Sequence, residues 1–256
     1  MKKYFLTFAD SRMTRSVQRI CSQANSLNFY DKVIGYNEEN IEYDFKKRHE
    51  NHLTFGSRGY GYWSWKPQII LQVLKTMNEG DILQYTDAGC HLNKNGIKRL
   101  EEYFSLTADS EKGILAFQSK NPEFPLEYDG RKLLYQPDYK WVKGDLLDYF
   151  GVRHNTEITH SETIGAGIIF IKKHPESIKI INNWLHVIED NFSLINDEVS
   201  KSDNLEGFIE HRHDQAIFSI LCKVENIKTI SAYEYWYPSR HLMIPDWNHL
   251  KTFPIH

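Results

Sequence analysis

Two carboxylates stand at the ends of predicted strands, where a ligand could contact them. Asp10 follows the β-forming run 3–9, and Asp87 closes the run 81–87 just before two small residues. In an open α/β sheet, ligands lie beyond the carboxyl ends of the strands. Asp87 therefore suits contact with a metal-bound or sugar-bearing ligand, and it equally suits the cap of a turn or of the next helix.

The segment 56–66 combines three kinds of residue that favour ligand contact. Its sequence, GSRGYGYWSWK, places three glycines among four aromatic residues and two cations just before a predicted helix. Glycines let the backbone approach a ligand, aromatic rings stack on sugars or bases, and Arg58 and Lys66 can neutralise phosphate. The segment lacks the G-x-G-x-x-G and Walker orders of nucleotide loops. We predict a contact loop, with an aromatic cluster packed into a corner of the core as the alternative.

Ionisable side chains concentrate at 210–215, EHRHDQ, where a helix is predicted to begin. In an extended lead-in His211 and His213 would share a face, and the positive end of the helix dipole attracts anions. Histidine and arginine at this place could hold a diphosphate, whereas Asp214 also suits a plain N-cap. Glu162 precedes a glycine-containing apolar run and could face the same cleft.

Alternating strands and helices would position these groups. The predicted strands are 3–9, 32–36, 81–87, 112–117 and 163–171. The predicted helices cover 17–27, 66–79, 95–104, 175–192 and 214–221. The polar residues 37–52 suggest an exposed loop or a marginal helix, and 122–137 suggest a long binding loop. This alternation indicates a mostly parallel sheet covered on both faces, in a single α/β domain.

Composition argues against several classes of protein. The 31 basic and 34 acidic residues give a net charge of −3, and no long basic run is present to hold a nucleic acid backbone. Three widely spaced cysteines without a Cys-x-x-Cys pair indicate a reducing compartment. The first apolar run ends at Asp10, too early for a signal peptide, and no apolar stretch of ~18 residues predicts a membrane span. We therefore expect a cytoplasmic protein. G-x-S-x-G and H-E-x-x-H orders are also missing, which opposes serine hydrolase and zincin chemistry.

Three segments resemble a family of bacterial glycosyltransferases that serve capsule, O-antigen and other surface-polysaccharide synthesis. They are 58–67 (RGYGYWSWKP), 80–90 (GDILQYTDAGC) and 211–215 (HRHDQ), and the resemblance covers most of the chain. It implies a GT-A-type domain over 1–256, with a mostly parallel central sheet flanked by helices. It further implies a nucleotide-sugar-binding half, 1–117, and an acceptor-binding and catalytic half, 118–256.

The same resemblance implies a reaction and the residues that serve it. A sugar would move from a nucleotide-diphosphate donor to a hydroxyl of a glycan or lipid-linked glycan acceptor. Donor contacts are implied at Thr7, Phe8, Asp10, Arg58, Tyr60, Trp65, Lys66, Asp87, Gly89, His211 and Arg212. Asp214, with Glu162 second, would take the acceptor proton in an inverting reaction, or stabilise an oxocarbenium-like centre in a retaining one.

Metal dependence is left open by one departure from the family pattern. GT-A enzymes carry an Asp-x-Asp motif that contacts the ribose and a divalent metal, and here Asp87 matches the first carboxylate while Gly89 replaces the second. A Mn²⁺ or Mg²⁺ site normally uses more than one carboxylate. Cationic side chains, Arg240 and His241 among them, could instead stabilise the leaving diphosphate.

Other interpretations of the aromatic residues remain open. The run 233–238 and Trp247 suit an interfacial patch, which would place the enzyme peripherally at the inner face of the plasma membrane, but they suit core packing or acceptor binding as well. A non-catalytic carbohydrate-binding protein is the main alternative function. A nucleotidyltransferase is a third, although it would normally carry a glycine-rich basic loop after its first strand, where this chain has TFADSR at 7–12.

Overall fold

The central element of the computed structural model, which describes residues 1–120, 136–235 and 253–256, is a six-stranded sheet. Its strands are β1 (Lys3–Phe8), β2 (Lys32–Tyr36), β3 (Ile82–Thr86), β4 (Ile114–Gln118), β5 (Ile164–Lys172) and β6 (Lys228–Ser231). Their order across the sheet is β2-β1-β3-β5-β4-β6. Strand β1 runs parallel to β2 and β3, and β4 runs parallel to β6, whereas β5 is antiparallel to both of its neighbours.

Helices cover both faces of the sheet. They are α1 (Thr14–Ser26), α2 (Tyr43–Arg48), α3 (Gly59–Tyr62), α4 (Trp65–Thr76), α5 (Ile97–Ala108), α6 (Gly144–Tyr149), α7 (Thr156–Thr159), α8 (Pro175–Asp190) and α9 (His213–Val224). Of these, α3 is a single turn whose residues all have positive φ, so it is left-handed. One buried apolar cluster joins α4, α8 and α9 to the sheet, and a second joins α1 and α5 to its other face. Among the residues described, no helix is both long and apolar enough to cross a bilayer.

The predicted fold class, an α/β sheet flanked by helices, is confirmed, and so are the five predicted strands within a few residues. Strand β5 has apolar neighbours on both faces, so its sequence is a continuous apolar run rather than an alternating one. Its antiparallel direction was not predicted. Between β4 and β5 the described residues form only a 3-10 turn at Asp138–Lys140 and two short α-helices, α6 and α7, and antiparallel neighbours need no long helical crossover.

Two further differences have local causes. Strand β6 was not predicted, because it has only four residues and one of them is exposed. The polar segment 37–52 is not wholly solvated, since Ile41 and the α2 residue Phe45 are buried in the core. The predicted binding loop 122–137 lies almost entirely outside the described residues.

Candidate active site

The ammonium group of Lys66 joins two carboxylates that are far apart in the sequence. Its Nζ lies 2.7 Å from Asp214 Oδ2 and 3.5 Å from Asp87 Oδ1, and it donates a hydrogen bond of 3.1 Å to the Ala166 carbonyl. Lys66 and Asp214 are 2% and 5% exposed, whereas the Asp87 side chain is 41% exposed. Lys66, Asp87 and Asp214, which we call the Lys66 cluster, therefore form a buried ion group with one carboxylate open to solvent.

Two helix starts and one strand end bring the Lys66 cluster together. Asp87 directly follows β3, Lys66 is the second residue of α4, and Asp214 is the second residue of α9. The helix dipole favours the carboxylate of Asp214 at its N-terminus and disfavours the ammonium of Lys66. The buried cation is thus compensated by the two carboxylates rather than by its own helix.

The pKa values in the cluster follow from burial and from the three charges. Burial raises the pKa of Asp214 to about 6, although the attraction of Lys66 opposes the shift. Burial alone would lower the pKa of Lys66, but the charges of Asp214 and Asp87 outweigh it and raise that pKa. At neutral pH Lys66 is therefore an ammonium and Asp214 is mostly ionised.

The exposed carboxylate of Asp87 is held in a defined position. Its Oδ1 accepts a hydrogen bond of 2.7 Å from the Tyr85 hydroxyl, and its backbone N–H donates one of 2.8 Å to the Gly167 carbonyl. A Cβ atom at Gly167 would lie 3.1 Å from Asp87 Oδ2, so glycine leaves room for the carboxylate. The Arg19 guanidinium donates to two carbonyls of the following turn, at 2.7 and 2.8 Å.

A cavity of about 290 Å³ opens beside Asp87, at the carboxyl ends of β1 and β3. Its lining includes six of the residues predicted to contact a donor, namely Phe8, Asp10, Tyr60, Trp65, Asp87 and Gly89. The rings of Phe8 and Trp65 pack with their centroids 3.9 Å apart. The Asp10 carboxylate caps the next turn and pairs with Arg12, and that hydrogen bond lowers its pKa. The cavity thus presents aromatic walls and two carboxylates.

One wall of the cavity is a left-handed turn formed by residues 59–63. All five residues have φ between 52° and 86°, which for the non-glycine residues Tyr60, Tyr62 and Trp63 costs about 1–2 kcal/mol each. A Cβ atom at Gly59 would lie 2.4 Å from the Trp63 ring, so glycine is required there. The indole N–H of Trp65 donates a hydrogen bond of 3.0 Å to the Gly59 carbonyl and holds the turn against α4. The predicted contact loop therefore lines the cavity.

Three cationic or imidazole groups predicted to contact a donor lie elsewhere in the structure. Arg58 pairs with Asp197 at 3.5 Å, and Arg212 pairs with Glu210 at 2.9 Å and lies over the Trp141 ring. His211 is buried, and its Nε2 lies 2.9 Å from the Leu194 carbonyl, which fixes that nitrogen as the donor. Burial holds the pKa of His211 well below its ordinary value, so the ring is neutral.

Thr7 and Glu162 are also away from the cavity lining. Thr7 is fully buried within β1. Glu162 accepts a hydrogen bond of 2.6 Å from the Gln136 N–H, and burial raises the pKa of its carboxyl group. Arg240 and His241 lie outside the described residues. The roles predicted for all of these residues stay predictions.

Some residues of the site carry no local sequence signal. Arg19 belongs to a helix that is recognisable only by its apolar spacing, and nothing near it in sequence points to the turn after β3. Tyr85 could have been found, because it lies two residues before Asp87 and side chains two apart share one face of a strand.

The described residues do not by themselves fit a divalent cation. Asp87 Oδ1 already accepts from Tyr85 and faces the Lys66 ammonium, and Gly89 supplies no side-chain ligand. In the described part of the chain, no group of three His, Cys, Asp or Glu side chains could hold a metal ion. A site with one shared carboxylate next to a fixed ammonium is a poor site for Mg²⁺ or Mn²⁺.

Comparison with known proteins gives similarity to solved structures alone. No protein-family model matches the sequence, and no curated protein matches it. The chain is similar to a glycosyltransferase involved in glycosylation of the major capsid of PBCV-1, with 12% identity over 100% of this chain and 91% of that one and a TM-score of 0.49. Similarity to mouse xyloside xylosyltransferase 1 has 12% identity over 91% and 86% of the two chains, with a TM-score of 0.49. For the galactosyltransferase LgtC the identity is 11% over 98% and 85%, with a TM-score of 0.42. At these identities and TM-scores the similarity carries no argument about activity.

Proposed function

We propose that this protein is a GT-A-type glycosyltransferase that moves a sugar from a nucleotide-diphosphate donor to a hydroxyl of a surface-polysaccharide acceptor. The observation that carries the proposal is the convergence of 58–67, 80–90 and 211–215 on the Lys66 cluster. These are the segments whose sequences resemble the glycosyltransferase family. They lie far apart in the chain, so a common site accounts for all three.

The cavity supports a nucleotide-sugar donor. Its volume of about 290 Å³ is near the lower end for small-molecule sites, and it lies at the strand ends where α/β sheets bind ligands. The rings of Tyr60 and Trp65 suit stacking on a base or a sugar face. Asp87, held by Tyr85 and half-open to solvent, suits hydrogen bonds from ribose hydroxyls.

The reaction breaks the bond between the anomeric carbon and the diphosphate and forms a bond from that carbon to the acceptor oxygen. The nucleoside diphosphate leaves, and the acceptor proton passes to a base. Asp214 remains the first candidate for this base and Glu162 the second. Because Asp214 is 5% exposed and bound to Lys66, its position favours a role in fixing Lys66 and, through it, the charge of Asp87.

The Lys66 cluster combines residues from both proposed halves of the chain. Lys66 and Asp87 come from 1–117, proposed as the nucleotide-sugar-binding half, and Asp214 comes from 118–256, proposed as the acceptor-binding and catalytic half. A site shared by both halves suits a reaction between two substrates. The acceptor we propose is a glycan or lipid-linked glycan, met at the cytoplasmic face of the membrane.

A transfer assay with a panel of nucleotide sugars tests the proposal. We expect turnover by the wild type and at least a 100-fold loss in Asp87→Ala, because the exposed carboxylate of the cavity is removed. Asp109→Asn, which changes an exposed carboxylate at the end of α5, is the matched control and should retain wild-type turnover. Wild-type turnover in Asp87→Ala would contradict the proposal. Running the assay with and without EDTA tests whether turnover depends on Mn²⁺ or Mg²⁺, which the replacement of the second carboxylate by Gly89 leaves open.

A thermal-shift measurement separates the transferase from a carbohydrate-binding protein. Ligands that bind the native state raise its melting temperature. We expect UDP or GDP to stabilise the protein, and stabilisation by glycans but by neither nucleotide would favour the binding protein.

A further inference from the structure

The carboxylate of Asp197 is presented on a loop that buried side chains hold in place. Lys143, itself 2% exposed, donates from Nζ to the carbonyls of Ser193, Asn196 and Glu198. His211 and His213 bind the carbonyls of the two residues between, Leu194 and Ile195, at 2.9 and 2.7 Å. In contrast, the Asp197 side chain is 50% exposed. The loop therefore holds a solvent-accessible carboxylate on a fixed backbone.

His213 directs an unused acceptor atom toward that carboxylate. Its Nδ1 lies 2.7 Å from the Ile195 carbonyl, and because a carbonyl only accepts, Nδ1 carries the hydrogen. Burial lowers the pKa of His213, so the ring is neutral and Nε2 has a lone pair. Nε2 is buried, has no hydrogen-bond partner among the described residues, and lies 3.6 Å from Asp197 Oδ1. Asp197 Oδ1 accepts from Arg58 Nη1 at 3.5 Å, but no donor serves Nε2, and a further hydrogen-bond donor placed beside these two acceptors would satisfy it.

Aromatic side chains connect this place to the donor cavity. The rings of Tyr62 and Trp63 pack on the His213 imidazole with centroid distances of 5.0 and 5.7 Å, and both residues are partly exposed. Trp63 also lines the cavity beside Asp87. The Arg58 guanidinium lies 3.5 Å from the Asp197 carboxylate and provides a further hydrogen-bond donor beside it. A carboxylate, an unpaired acceptor and ring faces next to each other form a surface that suits a sugar, which offers hydroxyl donors and C–H faces.

We propose that Asp197, His213, Tyr62 and Trp63 form the subsite that binds the acceptor sugar, which we call the Asp197 subsite. One sugar hydroxyl donates to Asp197 and a neighbouring hydroxyl donates to Nε2 of His213, and the sugar's C–H face packs on the rings. This inference rests on the proposed glycosyl transfer, since it assigns the second substrate of that reaction. Trp63 then borders both the donor cavity and the Asp197 subsite.

Saturation-transfer NMR with methyl glycosides of glucose, galactose, mannose and xylose tests the Asp197 subsite directly. We expect at least one of these probes to bind the wild type, and Asp197→Asn to weaken its Kd by about tenfold or more, because a charged hydrogen-bond acceptor is lost. Glu206→Gln, an exposed carboxylate on the same connection before α9, is the matched control and should bind within about twofold of wild type.

The outcomes separate this inference from the proposed function. Binding of no glycoside to the wild type, or equal Kd values in Asp197→Asn and Glu206→Gln, would overturn the Asp197 subsite. The proposed transferase is judged independently by stabilisation with UDP or GDP, so nucleotide binding without a loss in Asp197→Asn rejects only the subsite. Glycoside binding that depends on Asp197, in a protein that neither nucleotide stabilises, supports the subsite and rejects the transferase.

Discussion

At the scale of single residues, loss of Lys66 leaves two carboxylates, those of Asp214 and Asp87, without their shared cation. Lys66→Met removes the cation between Asp214 and Asp87 and leaves Asp214 buried without its partner. Breaking a buried pair in this way costs about 3–5 kcal/mol. We expect urea titration at neutral pH to show a fall of that size in the free energy of unfolding.

Two further variants make the Lys66 prediction specific. Lys75→Met changes an exposed lysine of the same helix, whose ion pair with Glu42 lies at the surface and contributes at most about 1 kcal/mol. Adding Asp214→Asn to Lys66→Met removes the unpaired buried charge, so the double variant should be more stable than Lys66→Met alone. A double variant less stable than Lys66→Met would show that charge is not the cause.

His211 makes stability depend on pH. Its pKa in the folded protein lies well below the ordinary value of 6.5 because the ring is buried. Below about pH 6.5 this histidine binds a proton in the unfolded chain, whereas the buried ring of the native protein does not. The free energy of unfolding therefore falls as the pH drops. The slope from one such group reaches about 1.4 kcal/mol per pH unit. We expect the free energy of unfolding to fall less between about pH 7.5 and pH 5.5 in His211→Gln than in the wild type.

A comparison between variants isolates the contribution of His211, because other groups titrate in the same range. His213 adds to the same slope, and Asp214, whose pKa is raised, opposes it as the pH falls toward about 4. His186→Gln, which makes the same change at an exposed histidine of α8, is the matched control. Equal slopes in the His211 and His186 variants would count against the prediction.

At the scale of elements, the left-handed turn at 59–63 is the most strained part of the site. Gly59→Ala would add a Cβ atom 2.4 Å from the Trp63 ring in a backbone with φ of 58°. Gly56→Ala meets the same kind of backbone, with φ of 94°, but no atom lies within 4 Å of its Cβ. We expect Gly59→Ala to lower the free energy of unfolding by at least about 1 kcal/mol more than Gly56→Ala, because it adds overpacking to backbone strain.

Nucleotide binding gives the same pair of variants a functional measurement. Displacing the Trp63 ring changes one wall of the cavity, so the stabilisation by UDP or GDP should shrink in Gly59→Ala and persist in Gly56→Ala. If both variants keep the wild-type thermal shift, the turn does not shape the nucleotide site.

Elements whose residues form apolar runs or stripes could be predicted from the sequence, and those set by distant contacts could not. The continuous apolar run at β5 and the helical spacing of apolar residues in α8 predicted both elements. Such patterns arise because the residues that face the core are apolar. The direction of β5 depends on which strands it joins, which its own residues do not encode. Likewise, 56–66 was predicted as a contact loop from its composition, whereas the left-handed conformation of Tyr60, Tyr62 and Trp63 opposes their local preference and depends on packing.

The same distinction holds for the site. Asp87 and Lys66 were predicted as functional residues from their own segments and Asp214 from the family resemblance, but the ion contacts among them depend on how α4 and α9 pack against the sheet. Asp197 lies in a polar stretch with no pattern of its own, and only the carbonyl contacts of Lys143 and the two histidines give it a fixed position.

At the scale of the whole molecule, the two proposed halves share one sheet. Strand β5 from 118–256 lies between β3 and β4, whose residues other than Gln118 belong to 1–117, and it pairs with both. The end of the chain also returns to the first half, where Ile255 is 1% exposed and pairs with Leu92. Each of the two apolar clusters contains residues from both halves. Neither half therefore has a core of its own.

This interleaving predicts that the protein unfolds in one cooperative step. Residues 1–117 without β5 would leave the edges of β3 and β4 unpaired and open both apolar clusters to water. We expect urea transitions followed by tryptophan fluorescence and by far-UV circular dichroism to coincide. Two variants, one that keeps only Trp65 of the first half and one that keeps only Trp184 of the second, with the other five tryptophans replaced by Phe, let fluorescence follow each buried tryptophan separately. Two separate midpoints for the two tryptophans would show that the halves are independent domains and that β5 does not couple them.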